Sequence, residues 1–186
     1  DDSYHGITYA EHFGKEGAFI TKATAQLMRD FGCVQSPINA YMLNLGLESL
    51  HVRMARHCEN GQAVAEFLAS HPKIAYVNYC GLPGDKYHAV AEKYLPNGSC
   101  GVVSFGVKGG REAAAAFMGH LKIAAIETHV ADARTCCLHP ASSTHRQMND
   151  EQLIAAGVQP DLVRMSCGLE DKNDLIHDIA QALDQI

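Results

Sequence analysis

The segment DLVRMSCGLED, Asp161 to Asp171, decides the fold. Read as a strand it alternates: Leu162, Arg164 and Ser166 face one way, Val163, Met165 and Cys167 the other. The second set is fit for a core. The first places a guanidinium in the middle of a short, otherwise apolar strand, which is costly unless an anion meets it. Glu170, in the loop that follows, is one candidate partner; an anion from outside the chain is the other.

Working outward, DKNDLIHDIAQALDQI closes the chain as an amphipathic helix, with Leu175, Ile176, Ile179, Ala182, Leu183 and Ile186 on one stripe. Upstream, short strands alternate with helices. Strands are expected over Ile74–Tyr79, Gly101–Val107 and Lys122–Glu127, with a short extended run over Ala133–Leu138. Helices are expected over Asp85–Leu95 and Arg111–Leu121, and Asn149 with Gln152 forms a capping box for a short helix ending at Gly157. The pattern is α/β: a sheet of about four strands with helices packed against it.

Before this region, Ser36 is a natural N-cap and Pro37 a natural first residue for a helix of about thirty residues, with Gly46 and Gly61 as potential bends. A shorter helix is expected over Thr21–Phe31, stopped by Gly32. The first 20 residues have no sustained period and read as loop, with Tyr4, Tyr9 and Phe13 available to pack on a neighbour. The expected division is a segment over residues 1–35 and a small domain over residues 36–186.

Of 186 residues, 47% are hydrophobic and 19% charged, which indicates an ordinary globular interior. The net charge is −6 and the 15 Lys and Arg form no basic run, which argues against a nucleic-acid surface. No apolar stretch reaches membrane-spanning length. Seven irregularly spaced cysteines without a C-x-x-C fit a reducing compartment, so a cytoplasmic location is expected. The opening DDSYHGITY reads as the cut end of a longer protein.

Several residue groups invite a chemical reading and lose it. His139 and His145 are six apart around a proline, and no H-E-x-x-H or Cys/His quartet exists, so no metal site is expected. Cys136 and Cys137 are adjacent, so on a strand one should be core and the other near the surface. Lys22, in ITKAT, is expected to be a solvated charge. Gly109-Gly110 is too short for a phosphate cradle and reads as a strand-to-helix turn.

Four blocks together resemble the pyridoxal-phosphate (PLP) enzymes of cysteine and methionine metabolism, most of all the O-acetylhomoserine sulfhydrylase branch. They are MRDFGCVQSPINAYMLNLGLESLHVRMARHCENGQAVAEFL, VNYCGL with KYLPNGSCGVVSFGVKGG, DARTCCLHPASSTH, and GVQPDLVRMSCGLEDKNDLIHDIAQAL. The resemblance implies the small C-terminal domain of the aspartate-aminotransferase type of fold (fold type I). A large PLP domain would precede it and carry the Schiff-base lysine in an S-x-T-K motif, which is absent here. It implies that Arg164 holds the substrate α-carboxylate. Thr135 stands where relatives have a serine contributing to the same carboxylate or nearby backbone. It also departs from the family: His129-Val130-Ala131-Asp132 replaces the common N-V-G-D.

The implied activity is γ-replacement on O-acetylhomoserine by sulfide or a thiol, giving homocysteine or methionine, in an enzyme that is commonly a homotetramer. This chain would supply the carboxylate clamp, with no catalytic residue and no cofactor contact of its own, and would be inactive and cofactor-free alone. A cystathionine synthase or γ-lyase is the alternative within the family. A stand-alone regulatory domain that binds an amino acid is the alternative outside it.

Overall fold

The computed structural model describes residues 1–186, the side chain of Ser3 excepted. Two compact units divide between Glu48 and Ser49, so the helix beginning at Pro37 belongs with the first unit.

In the first unit, α1 (Tyr9–Thr21) runs on through a π-helical stretch, Lys22–Met28, into the short α2 (Arg29–Phe31). The loop expected over the first 20 residues is therefore largely helix. Two of its glycines do mark breaks: Gly6 precedes α1 with φ 72°, and Gly14 kinks α1 with φ 69°, the chain being helical on both sides of it. Gly32 stops α2 in the left-handed conformation, as expected. Tyr4, Tyr9 and Phe13 pack on one another, with ring centroids 5.7 and 5.8 Å apart along that series. The Tyr9 hydroxyl donates to the buried Gln26 at 2.8 Å. Helix α3 (Pro37–Glu48) follows, with the Ser36 hydroxyl accepting from the Asn39 amide.

The second unit begins at Ser49 with α4 (Leu50–Ser70). The expected long helix is thus two, and neither Gly46 nor Gly61 is the break. Gly61 serves instead for close packing: a Cβ there would meet the Cys100 carbonyl oxygen at 2.5 Å. The sheet comprises β1 (Ile74–Asn78), β2 (Val102–Val107), β3 (Ala125–Ile126), β4 (Cys136–Leu138) and β5 (Leu162–Ser166). Helices α5 (His88–Tyr94), α6 (Gly110–His120), α7 (Asp150–Ala155) and α8 (Lys172–Asp184) complete it. The five strands lie in the order β1-β2-β5-β4-β3, antiparallel except for β3 with β4.

One strand more than expected forms because the Ala133–Leu138 run joins the sheet. The expected strand over Lys122–Glu127 is reduced to two residues for a definite reason. The buried Asp178 carboxylate on α8 accepts the amides of Lys122, Ile123 and Ala124 at 2.8–3.1 Å, tying that stretch to the helix instead of a ladder. The core joins Val103, Phe105 and Val107 of β2 and Val163 and Met165 of β5 to Leu68 of α4, Phe117 of α6 and Ile179 and Leu183 of α8. The capping box at Asn149 is formed as expected. Among the described residues, no helix is long and apolar enough to cross a membrane.

Candidate functional site

The alternation that opened the sequence reading holds on β5. Val163 and Met165 are fully buried in the core, while Arg164 is half-buried on the opposite sheet face. Arg164 lies across from Ser104 of β2 and Leu138 of β4. It is not locked in a dry interior: it lines an open cleft of about 480 Å³ with Val102, Ser104, Thr128, Thr144 and His145. Water on that face lowers the cost of the charge.

Its partner within the chain is a carbonyl. An Arg164 terminal nitrogen donates to the Thr128 oxygen at 2.9 Å, which leaves further guanidinium donors for a ligand. Among the described residues no carboxylate forms an ion pair with it. Glu170 is engaged elsewhere. Its two carboxylate oxygens accept from the Thr135 amide at 2.7 Å and the Thr135 hydroxyl at 2.8 Å.

Thr135 is fully buried, and its hydroxyl also accepts from the Gly168 amide at 2.8 Å. With donor and acceptor roles both filled inside the chain, it does not reach the cleft. The structure thus separates the two residues that the sequence reading grouped: Arg164 lines the cleft, and Thr135 fastens the loop after β5.

That loop is held from three sides. The buried His57 and Asn60 of α4 contact it, His57 at the Cys167 carbonyl (2.7 Å) and Asn60 by donating to the carbonyls of Gly168 and Glu170 (both 2.9 Å). Leu169 donates to the Ala133 carbonyl at 2.8 Å. Gly168 must be glycine, since a Cβ would sit 2.4–2.5 Å from backbone atoms of Ala133, Arg134 and Thr135. Sequence reasoning missed His57 and Asn60 as supports, because their partners lie some 110 residues away and carry no local pattern.

His139 is buried, with one ring nitrogen 2.8 Å from the Pro160 carbonyl and the other 2.9 Å from the Ser142 hydroxyl, while His145 lines the cleft. Cys136 and Cys137 are both buried, against the expectation of one surface thiol. Cys137 joins the core, and Cys136, on the other face, is covered by the loop containing Glu127 and Arg134. Burial pushes the thiols of Cys137 and Cys167 up, that of Cys167 to about 12, so neither is a nucleophile at neutral pH. Lys22 pairs with Asp1 at 2.7 Å at the surface of the first unit.

A family model described as "Cys/Met metabolism PLP-dependent enzyme" matches residues 11–184. The O-acetyl-L-homoserine sulfhydrylase of Leptospira meyeri is 44% identical over 194 residues, spanning 100% of this chain and 44% of the relative. The homocysteine synthase of Schizosaccharomyces pombe is 42% identical, over 97% of this chain and 42% of that one. A crystal structure assigned as an O-acetylhomoserine (thiol)-lyase from Campylobacter jejuni superposes with a TM-score of 0.84 at 36% identity, covering 99% of this chain and 43% of its own. That crystal structure carries N′-pyridoxyl-lysine-5′-monophosphate. The chain spans less than half the length of the curated relatives it matches.

The donor set of the Arg164 cleft does not fit such a cofactor. No lysine lines it to supply an amine, and its polar groups are one guanidinium, three hydroxyl residues and an imidazole. Lys73, Lys108 and Lys172 are engaged with Leu183 and Ile186, with Pro72, and with Glu59 respectively. The cleft's one charged group, the Arg164 guanidinium, presents a planar fork of donors.

Proposed function

The chain belongs to the Cys/Met metabolism PLP-dependent enzyme family, and from that premise we propose that it is the carboxylate-binding part of an O-acetylhomoserine sulfhydrylase. The complete enzyme would replace the γ-acetoxy group of O-acetylhomoserine with sulfide or a thiol. Arg164 would hold the α-carboxylate through a planar pair of donors, a charge-assisted contact worth roughly 1.5–3 kcal/mol. The chain would correspond to a C-terminal α/β domain, and the PLP site would lie in another part of the enzyme, where the cofactor supplies an electron sink.

The observation that carries this reading is the state of Arg164: a guanidinium in an open cleft that donates to the Thr128 carbonyl and forms no ion pair among the described residues, while the nearest sequence candidate, Glu170, is engaged by Thr135. The Thr128 carbonyl sets its orientation from one side. Fixing the carboxylate at one end of an amino acid fixes the direction of its Cα–H bond, which is a positioning contribution to catalysis. Thr135 would act at one remove, by fastening the loop that leaves β5.

The test is Arg164→Ala in the complete enzyme. The expected result is a fall in kcat/KM of roughly 10²-fold or more with cofactor absorbance unchanged. Activity retained within about threefold would show that the clamp is elsewhere.

A further inference from the structure

The loop that joins β3 to β4 carries a second set of ligating side chains, on the same sheet face as Arg164 but outside its cleft. Glu127 Oε2 lies 3.0 Å from His129 Nδ1 and 3.8 Å from Cys136 Sγ. The same His129 nitrogen lies 3.5 Å from Asp132 Oδ2. One ligand atom each from Glu127, His129 and Cys136 fall within 4.8 Å of one another.

These separations have a chemical meaning. Around a tetrahedral zinc ion, with Zn–N and Zn–O near 2.0–2.2 Å and Zn–S near 2.3 Å, neighbouring ligand atoms are about 3.3–3.6 Å apart. The two separations to Glu127, 3.0 and 3.8 Å, fall on either side of that range. Cys136 is 1% exposed, and its thiol is turned toward this group instead of the core. A positive charge already serves the two acids: the Arg134 guanidinium reaches Glu127 at 3.2 Å and Asp132 at 3.4 Å. Its side chain is 60% exposed, so it can turn out to solvent when another cation enters.

We propose that Glu127, His129 and Cys136 form a three-residue binding site for one divalent cation of borderline softness, with zinc the best match to this donor set and water in the fourth position. Thiolate and imidazole favour zinc over magnesium or calcium, which prefer all-oxygen cages. On binding, the Cys136 thiol releases its proton to solvent, His129 binds through neutral Nδ1, and Arg134 stays protonated. One carboxylate and a thiolate then balance the divalent ion, with Arg134 and Asp132 at the rim. The spacing E-x-H-x6-C matches no metal motif because the ligands come from a strand end, a turn and the next strand. Ala131 makes that turn with φ 59°. The ion would also stiffen Thr128, which lies between two of its ligands and accepts from Arg164. The proposal itself stands whether or not Arg164 binds a carboxylate.

Cobalt reads the site directly. Titration of the metal-stripped chain with Co²⁺ should saturate at one equivalent, show a thiolate-to-cobalt charge-transfer band, and be reversed by Zn²⁺. Cys136→Ser should abolish the band. Because Cys136 is buried, the exposed His129→Ala is the variant whose folding is least at risk, and it should weaken binding at least about tenfold. Arg134→Ala, which removes the competing charge, should tighten binding. A band that survives in both Cys136→Ser and His129→Ala, no band in the unaltered chain, or weaker binding in Arg134→Ala would overturn the proposal.

Discussion

Helices α3 and α8 are close in length and both rich in apolar residues, yet their surroundings are opposite. On α8, Leu175, Ile179, Ala182 and Leu183 are all within 1% of complete burial. On α3 no residue is buried, and Ile38, Tyr41, Met42, Leu43, Leu45 and Leu47 are all more than half exposed. The difference lies in how the apolar positions are spaced. Those of α8 recur on one stripe with acids and amides opposite, so one face satisfies them. Those of α3 surround the axis, as in a helix meant to be enclosed. The same contrast separates the units, one with a contiguous core and one with apolar side chains facing outward.

Truncation tests this contrast with the largest expected effect. Phe105→Ala, in the second unit's core against Phe117, should cost about 3–5 kcal/mol in denaturant unfolding. Leu43→Ala on α3 should stay within about 0.5 kcal/mol. An equal loss from both would mean that α3 is covered in solution.

The thiols sharpen the same comparison. Cys33 in the first unit is exposed and should react with a thiol reagent in the native state, whereas Cys137 and Cys167 should react only on unfolding. Their shifts also set a pH dependence. Burial pushes the folded Cys167 thiol up to about 12, above the ordinary value of 9.0 that the unfolded chain recovers. The folded state therefore holds the proton more tightly, and its stability is complete below pH 9 and falls as pH rises toward 12. The slope should reach about 1.4 kcal/mol per pH unit for each such thiol, measurable as the unfolding midpoint between pH 8 and 11.

Smaller effects probe the loops around β5. Thr135→Val removes the hydroxyl that serves both Glu170 and Gly168, and should cost roughly 1–3 kcal/mol. A loss of substrate affinity without loss of stability would instead return Thr135 to the cleft. Ala131→Gly relieves a left-handed residue and should stabilise by about 1 kcal/mol in the same assay.

The sequence by itself determined the α/β class, the C-terminal amphipathic helix, the capping box at Asn149 and the facing of Arg164 away from the core. Each is a local pattern, since a period of two or 3.6 and a cap three residues from its partner need only neighbours in the chain. Tertiary structure decided the rest. The first residues are helical on both sides of a kink at Gly14, where their lack of period suggests loop. Asp178 takes the amides that would have lengthened β3, Glu170 closes on Thr135 instead of Arg164, and Cys136 is covered by a loop that also carries Glu127, His129 and Asp132. In each of the last three, a side chain had several partners of suitable chemistry along the sequence. Only the fold brings one of them within hydrogen-bonding or ligand distance, and that choice leaves Arg164 open to the cleft.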